Sequence, residues 1–210
     1  METLVIEKVQ DRPVKGAYFK GTPGWPGVIL SHGANNDMDH YLLTRTADLL
    51  QEEGWSTLRI TFSFRVQGRP PKIQELLEEL EFWKNFLQTR APVSRLVLVG
   101  KSLGGYASTV YVAHQDPQQE IRAVGVFGYP FLSPQGEPIY AEHLRQVRVP
   151  VLFLQGENDP LGPPEQLRAF LKEMPEVPIE IQVIPDTDHS FHRHQDEAVE
   201  RMVAWLLEHV

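Results

Sequence analysis

The sequence predicts an α/β fold, a mostly parallel central sheet of about 7–8 strands with helices on both faces. Three observations carry that expectation. Short runs such as Gly27-Val28-Ile29-Leu30 and Leu96-Val97-Leu98-Val99 are apolar at every position, the pattern of strands covered on both sides. Segments with apolar residues at helical spacing lie between these runs. Gly and Pro fall as punctuation between the two kinds of segment, with no repeat, charge block or low-complexity tract.

In order along the chain, Leu4 to Val9 and Gly16 to Lys20 read as strands. Gly27 to Leu30 is a third, ending at Ser31-His32-Gly33. Met38 to Glu53 reads as a helix stopped by Gly54, and Ser56 to Phe62, rich in Thr, Ile and Phe, as a strand. After a loop, Ile73, Leu76, Leu77 and Leu80 recur at i, i+3, i+4 and i+7 and continue through Trp83 and Leu87. Glu75, Glu78, Glu79 and Lys84 take the opposite face, so this helix lies on a sheet. The alternation repeats with strand Arg95 to Val99, helix Leu103 to His114 and strand Ile121 to Phe127. A short helix near Ala141 to Gln146, strand Val149 to Leu154, helix Pro164 to Glu173 and strand Ile179 to Ile184 follow. A last helix carries Val199, Met202, Val203 and Leu206. A chain of 210 residues ordered in this way is expected to form one domain spanning 1–210.

Composition narrows the function. Hydrophobic residues at 41% and charged residues at 23% exclude a disordered chain. A net charge of −8 argues against nucleic acid or an anionic membrane as partner and leaves small molecules or proteins. The absence of cysteine removes disulfides, thiolate metal sites and a cysteine nucleophile together. Met1 to Arg12 has scattered charges and no apolar core of a signal peptide, and no later stretch approaches 18 apolar residues, so the expected location is cytoplasmic.

Gly100-Lys101-Ser102-Leu103-Gly104-Gly105 follows an apolar strand and opens a helix. This is G-x-S-x-G between strand and helix. A turn sharp enough to expose the serine leaves no room for side chains two positions to either side, hence Gly100 and Gly104. The same turn puts the Leu103 N–H at a helix N-terminus, where a developing oxyanion is favoured. Two other motifs fail here. A P-loop would need glycine where Arg95 stands, and a dinucleotide fingerprint would need glycine at Ser102. The bland alternative is a serine that merely caps the helix.

A serine hydroxyl needs a base and an orienting carboxylate; the turn resembles that of α/β-hydrolases, which implies the order serine, acid, histidine. Asp159, just beyond the strand ending Leu152-Phe153-Leu154, is the candidate acid. Glu157 is its rival, and an Asx-turn is the alternative reading of Asp159. His189, after the last strand, is the candidate base. His192 and His194 with Asp186 and Asp188 raise the question of a metal cluster, but the spacing matches no structural zinc pattern, and neither metal nor cofactor is expected. His32, His40 and His114 are out of order for the base and read as a turn residue, a solvated helix face and a helix C-terminal cation. Intervals of 57 residues from Ser102 to Asp159 and 30 from Asp159 to His189 each hold a helix and a strand. All three therefore emerge at one edge of a parallel sheet.

Ser102, Asp159 and His189, each after its own strand, together with His32-Gly33-Ala34, resemble an α/β-hydrolase over essentially the whole chain. More narrowly, Leu30-Ser31-His32-Gly33-Ala34, Asp37-Met38-Asp39, Gly68-Arg69 and Gly100 to Gly105 resemble small lidless hydrolases. That group is related to testis-expressed protein 30 and to the hydrolase-like subunit of the nonspecific-lethal complex, with dienelactone hydrolases more distant. The resemblance implies an α/β-hydrolase fold without a lid domain and Ala34 N–H as second oxyanion donor beside Leu103 N–H. Tyr106 stands where that group often carries arginine. The expectation is a serine esterase acting through an acyl-enzyme on small or exposed esters, with a non-catalytic protein-binding scaffold as the alternative. Candidate substrate contacts are Arg65 and Arg69 in a loop over the site, Tyr106, and Tyr129 and Phe131 as pocket walls. The sequence does not specify an oligomeric state.

Overall fold

The structure, a computed structural model, describes residues 1–115, 121–133, 136 and 141–210. Its centre is a sheet of eight strands: β1 Thr3–Val9, β2 Arg12–Phe19, β3 Gly27–Ser31, β4 Ser56–Thr61, β5 Leu96–Lys101, β6 Ile121–Phe127, β7 Val151–Gly156 and β8 Ile179–Ile184. They lie in the order β1-β2-β4-β3-β5-β6-β7-β8. The β1/β2 and β2/β4 pairs are antiparallel and all others parallel. Helices α1 Tyr41–Glu52, α2 Ser63–Gln67, α3 Ile73–Arg90, α4 Leu103–Ala113, α5 Pro164–Leu171 and α6 Gln195–His209 complete the described fold, with a 3₁₀ turn at Glu142–Gln146.

Alternation along the buried strands divides two cores. Val28, Leu30, Val97 and Val99 face α1 and α6 and meet Leu42, Leu43, Leu50, Val199, Met202 and Leu206. Ile29, Leu96 and Leu98 face the other way, onto Leu76, Leu80 and Trp83 of α3 and Ala107 and Val112 of α4. Period two in strands and 3.6 in helices makes each strand residue serve one layer and each helix one stripe. No helix among the described residues is long and apolar enough to cross a membrane.

The structure departs from the sequence reading at several places, among them Glu79 and Lys84, which are buried and not on a solvent face of their helix. Strand β2 begins at Arg12 because Gln10 and Asp11 both take positive φ, 48° and 67°, and pair Val9 with Arg12 across a two-residue hairpin. Neither residue is glycine, so the turn carries no glycine signal. Helix α1 starts at Tyr41 rather than Met38, capped by the His40 ring, whose Nδ1 accepts the Leu42 N–H at 3.3 Å; His40 is not on a solvated helix face. Residues read as a loop after the fourth strand form α2, ended by Gly68 at φ 65°. The buried Glu79 carboxylate on α3 accepts the Ser63 N–H at 2.9 Å and so holds the first turn of α2.

Residues 128–141 separate β6 from the 3₁₀ turn. The part of that segment at 134–135 and 137–140, including Tyr140, lies outside the described residues.

Trp83 is fully buried, edge-on to Phe82 and Phe86, with its ring against Gly16 of β2. Replacing it by alanine opens a large cavity between α3 and the sheet. Trp83→Ala is expected to cost about 3–5 kcal/mol, read as a lowered urea midpoint.

Candidate active site

The turn between β5 and α4 is built by backbone contact. A Cβ on Gly100 would lie 2.2 Å from the Gly105 nitrogen, and one on Gly104 would lie 2.6 Å from the Ser31 carbonyl oxygen. Real Cβ atoms do not approach so closely, so the helix start sits directly on β5 and β3. Ser102 between them takes φ 51° and ψ −115°, a strained conformation for a residue with a side chain. It is held there by its N–H, donated to Phe127 O at 2.9 Å, and by its C=O, which accepts the Tyr106 N–H at 2.9 Å.

The candidate acid and base converge on this serine from the ends of β7 and β8. His189 Nε2 lies 2.9 Å from Ser102 Oγ, and His189 Nδ1 lies 2.8 Å from Asp159 Oδ2. The Asp159 carboxylate is buried, and its other oxygen, Oδ1, accepts the Leu161 and Gly162 N–H groups at 2.9 and 3.1 Å. Oδ1 thus makes the Asx-turn, while Oδ2 faces the His189 ring. With Nδ1–H donated to Asp159, Nε2 is left to accept the serine proton. Glu157 is instead exposed and accepts the Asp186 N–H at 3.0 Å, which staples the loop carrying His189. His192 and His194 turn to separate carboxylates, Asp188 and Glu197.

Beside Ser102 lies the loop after β3: a Cβ on Gly33 would be 3.4 Å from Ser102 Cβ. His32 is completely buried and is more than a turn residue. Its Nδ1–H donates to Gly33 O at 2.6 Å, and its Nε2 accepts the Phe62 N–H at 3.0 Å. In a trans peptide the carbonyl and the next N–H point opposite ways, so this bond sets the direction of the Ala34 N–H. Leu103 N–H, at the first position of α4, has no acceptor within its helix.

Among the candidate substrate contacts, Arg65 is exposed on α2 and lines a cavity of about 320 Å³ with Lys15, Asp37, Asp39 and Thr61. Arg69 is committed elsewhere, to Glu75, Gln67 and Ser63 Oγ. Tyr106, half-buried one turn beyond Ser102, packs edge-on to His143 at 5.3 Å. Tyr129 is buried, its ring stacked on Phe153 at 4.3 Å. Phe131 is likewise buried, against Phe170. Both belong to the core on the α3 and α4 side of the sheet, and the chain reaches them through Gly128, at φ 67°.

Gly128 has a second role that the sequence did not disclose: a Cβ there would come within 3.1 Å of the His189 ring. Lys101 was also missed as more than the variable residue of the motif. It is buried, and its Nζ donates to the His189 carbonyl at 2.8 Å. The period-two pattern of β5 was the available signal, since it puts Lys101 on the same buried face as Val97 and Val99.

The sequence profile described as "Alpha/beta hydrolase domain" matches residues 26–206. The chain belongs to the α/β-hydrolase family. Among solved structures, an α/β serine hydrolase homologue from Coxiella burnetii is 21% identical, with 97% of each chain covered and a TM-score of 0.80. A dienelactone hydrolase from Anabaena variabilis is 20% identical over 100% of this chain and 98% of its own, with a TM-score of 0.79. An α/β serine hydrolase without a lid from Xanthomonas campestris is 21% identical over 95% and 94%, at 0.72. At these identities the likeness is one of fold: the α/β-hydrolase sheet with its helices.

Burial lowers the His32 pKa from its ordinary value to about 4, so the ring is neutral at neutral pH. The unfolded chain binds a proton near pH 6.5 and the folded chain only near 4. Stability is therefore full above about pH 6.5 and falls as pH drops toward 4, by about 3 kcal/mol for this group. Urea midpoints at pH 7, 5.5 and 4.5 check this, and His32→Gln, which cannot titrate, is expected to show a flatter decline.

Proposed function

We propose that the protein is a serine esterase that hydrolyses small or exposed carboxylic esters through an acyl-enzyme, with Ser102 as nucleophile, His189 as general base and acid, and Asp159 as the orienting carboxylate. The observation that carries the reading is the continuous chain of bonds from Ser102 Oγ to His189 Nε2 at 2.9 Å and from His189 Nδ1 to Asp159 Oδ2 at 2.8 Å. His189 accepts the serine proton as Oγ attacks the ester carbonyl, and buried Asp159 stabilises the imidazolium that forms. The Ala34 and Leu103 N–H groups receive the oxyanion, one oriented by His32 and the other at the N-terminus of α4. Collapse returns the proton from His189 to the departing alkoxide. A water activated by the same imidazole then attacks the acyl-serine and frees the acid.

The preference for small or exposed esters is supported by the brevity of the 128–141 connection, where a lid would have to be inserted. Arg65 is the candidate cation for an acidic substrate group. The closer kinship with the lidless group of testis-expressed protein 30 belongs to this proposal, as do a single domain over 1–210 and a cytoplasmic site of action. Nothing in the site's geometry favours the scaffold reading.

With p-nitrophenyl acetate as substrate, Ser102→Ala is expected to lower kcat by at least about 1,000-fold, and Asp159→Asn by about 10,000-fold, the latter by favouring the wrong imidazole tautomer. A fluorophosphonate probe should label the wild-type chain at Ser102 only. A wild-type protein that takes no label and hydrolyses no faster than Ser102→Ala would be a scaffold. Across p-nitrophenyl esters, kcat/KM should fall from acetate and butyrate to palmitate; a rise toward palmitate would contradict the substrate class.

A further inference from the structure

The residue preceding the nucleophile is a lysine whose side chain runs beneath the site. Lys101 is 3% exposed, on the face of β5 that carries Val97 and Val99 and packs toward α1 and α6. Its ammonium has three protons to donate. Among the described residues it makes one hydrogen bond, to the backbone carbonyl of His189, and no carboxylate lies within ion-pair distance. An ammonium so placed has lost most of its hydration and regained little of it, an arrangement that costs stability. The groups that face it are the carboxylates of Asp159 and Asp188, beyond β7 and β8, and the His40 ring at the start of α1.

The loop that Lys101 holds is itself strained. Asp186, Phe191 and Arg193 all have positive φ, at 53°, 58° and 67°, and none is glycine. His189 sits in the middle of this loop. Its imidazole is bonded to Ser102, and its own carbonyl is bonded to the neighbour of Ser102. Adjacent residues of one rigid turn thus hold the histidine at two points, side chain and main chain.

We propose that Lys101 is a positioning residue, which ties the main chain of His189 to the nucleophile turn and so keeps the imidazole within reach of Ser102 Oγ. The proposal rests on the reading of Ser102 and His189 as nucleophile and base. It accounts for an ammonium kept at a buried position where an apolar side chain would carry no desolvation cost. The bond is charge-assisted only while the amine is protonated, and burial lowers the Lys101 pKa to about 8, with Asp159 and Asp188 opposing the fall. The anchor is therefore at full strength well below pH 8 and weakens as pH rises through it.

The test measures kcat, KM and Tm on p-nitrophenyl acetate for wild type, Ser102→Ala, Lys101→Met and Lys101→Cys. Because the chain has no other cysteine, Lys101→Cys can be alkylated selectively in denaturant with 2-bromoethylamine, the thiolate displacing bromide, and then refolded. Lys101→Met is expected to keep or raise Tm, to lower kcat by about 10 to 100-fold, the worth of a charge-assisted hydrogen bond, and to leave KM within about threefold. The ratio of wild-type to Lys101→Met kcat should narrow from pH 7 to pH 10. Aminoethylated Lys101→Cys should recover most of the kcat that the unalkylated protein lacks. If Lys101→Met keeps kcat within twofold of wild type while Ser102→Ala is inactive, the positioning role is wrong and the triad stands. If Ser102→Ala is as active as wild type, the triad falls and the positioning role with it. Should Lys101→Met not fold, equal kcat before and after alkylation of Lys101→Cys overturns the role.

Discussion

The architecture depends on one close approach, that of the α4 backbone to the strand it follows. With Gly100 against Gly105, and Gly104 against the Ser31 and His32 backbone, the helix begins in contact with the sheet and not a side chain's width above it. The contact is made by atoms every residue possesses, which is why only residues without a Cβ permit it. Three consequences follow from that closeness. Ser102 is forced into its strained conformation, the Leu103 N–H is presented at the helix start, and the loop carrying Gly33 and Ala34 is brought alongside the serine. Candidate nucleophile and candidate oxyanion donors are thus consequences of a single packing event.

Around this turn the protein buries ionisable groups that an apolar core would not need. His32 is kept neutral and spans the ends of β3 and β4, Lys101 lies under the His189 loop, and Glu79 holds the start of α2. Burial opposes the charged form of each: it lowers the pKa of His32 and of Lys101 and raises that of Glu79. Each makes its hydrogen bonds to backbone or side-chain groups of segments that border the site, so the loss in stability is spent on holding loops in place. Fixed loops are what proton transfer requires, since a donor and acceptor displaced by an ångström no longer share a proton.

Much of this was legible in the chain. The apolar runs located the parallel strands because a strand covered on both faces has no polar position to show. The Gly100 to Gly105 turn was readable because its constraint is local, a clash within six residues. What escaped were features set by distant neighbours. The Gln10-Asp11 hairpin lacks glycine and is held by strand pairing, and α2 is held at its start by Glu79, sixteen residues along the chain from Ser63. The burial of Tyr129 and Phe131 was not legible either, because aromatic residues near a strand end suit a cleft or a core alike, and their neighbours Phe153 and Phe170 come from distant parts of the chain.

The sequence by itself determined the α/β alternation, the serine turn and the order in which Ser102, Asp159 and His189 arrive at one sheet edge, because each follows from periodicity or from steric limits between near neighbours. Tertiary structure alone decided that Asp159 and not Glu157 faces His189, that His32 orients the Ala34 peptide, and that Lys101 grips the His189 main chain. These depend on distances of about 3 Å between the ends of strands that are far apart in the chain, and such distances are fixed only when the whole sheet has been assembled.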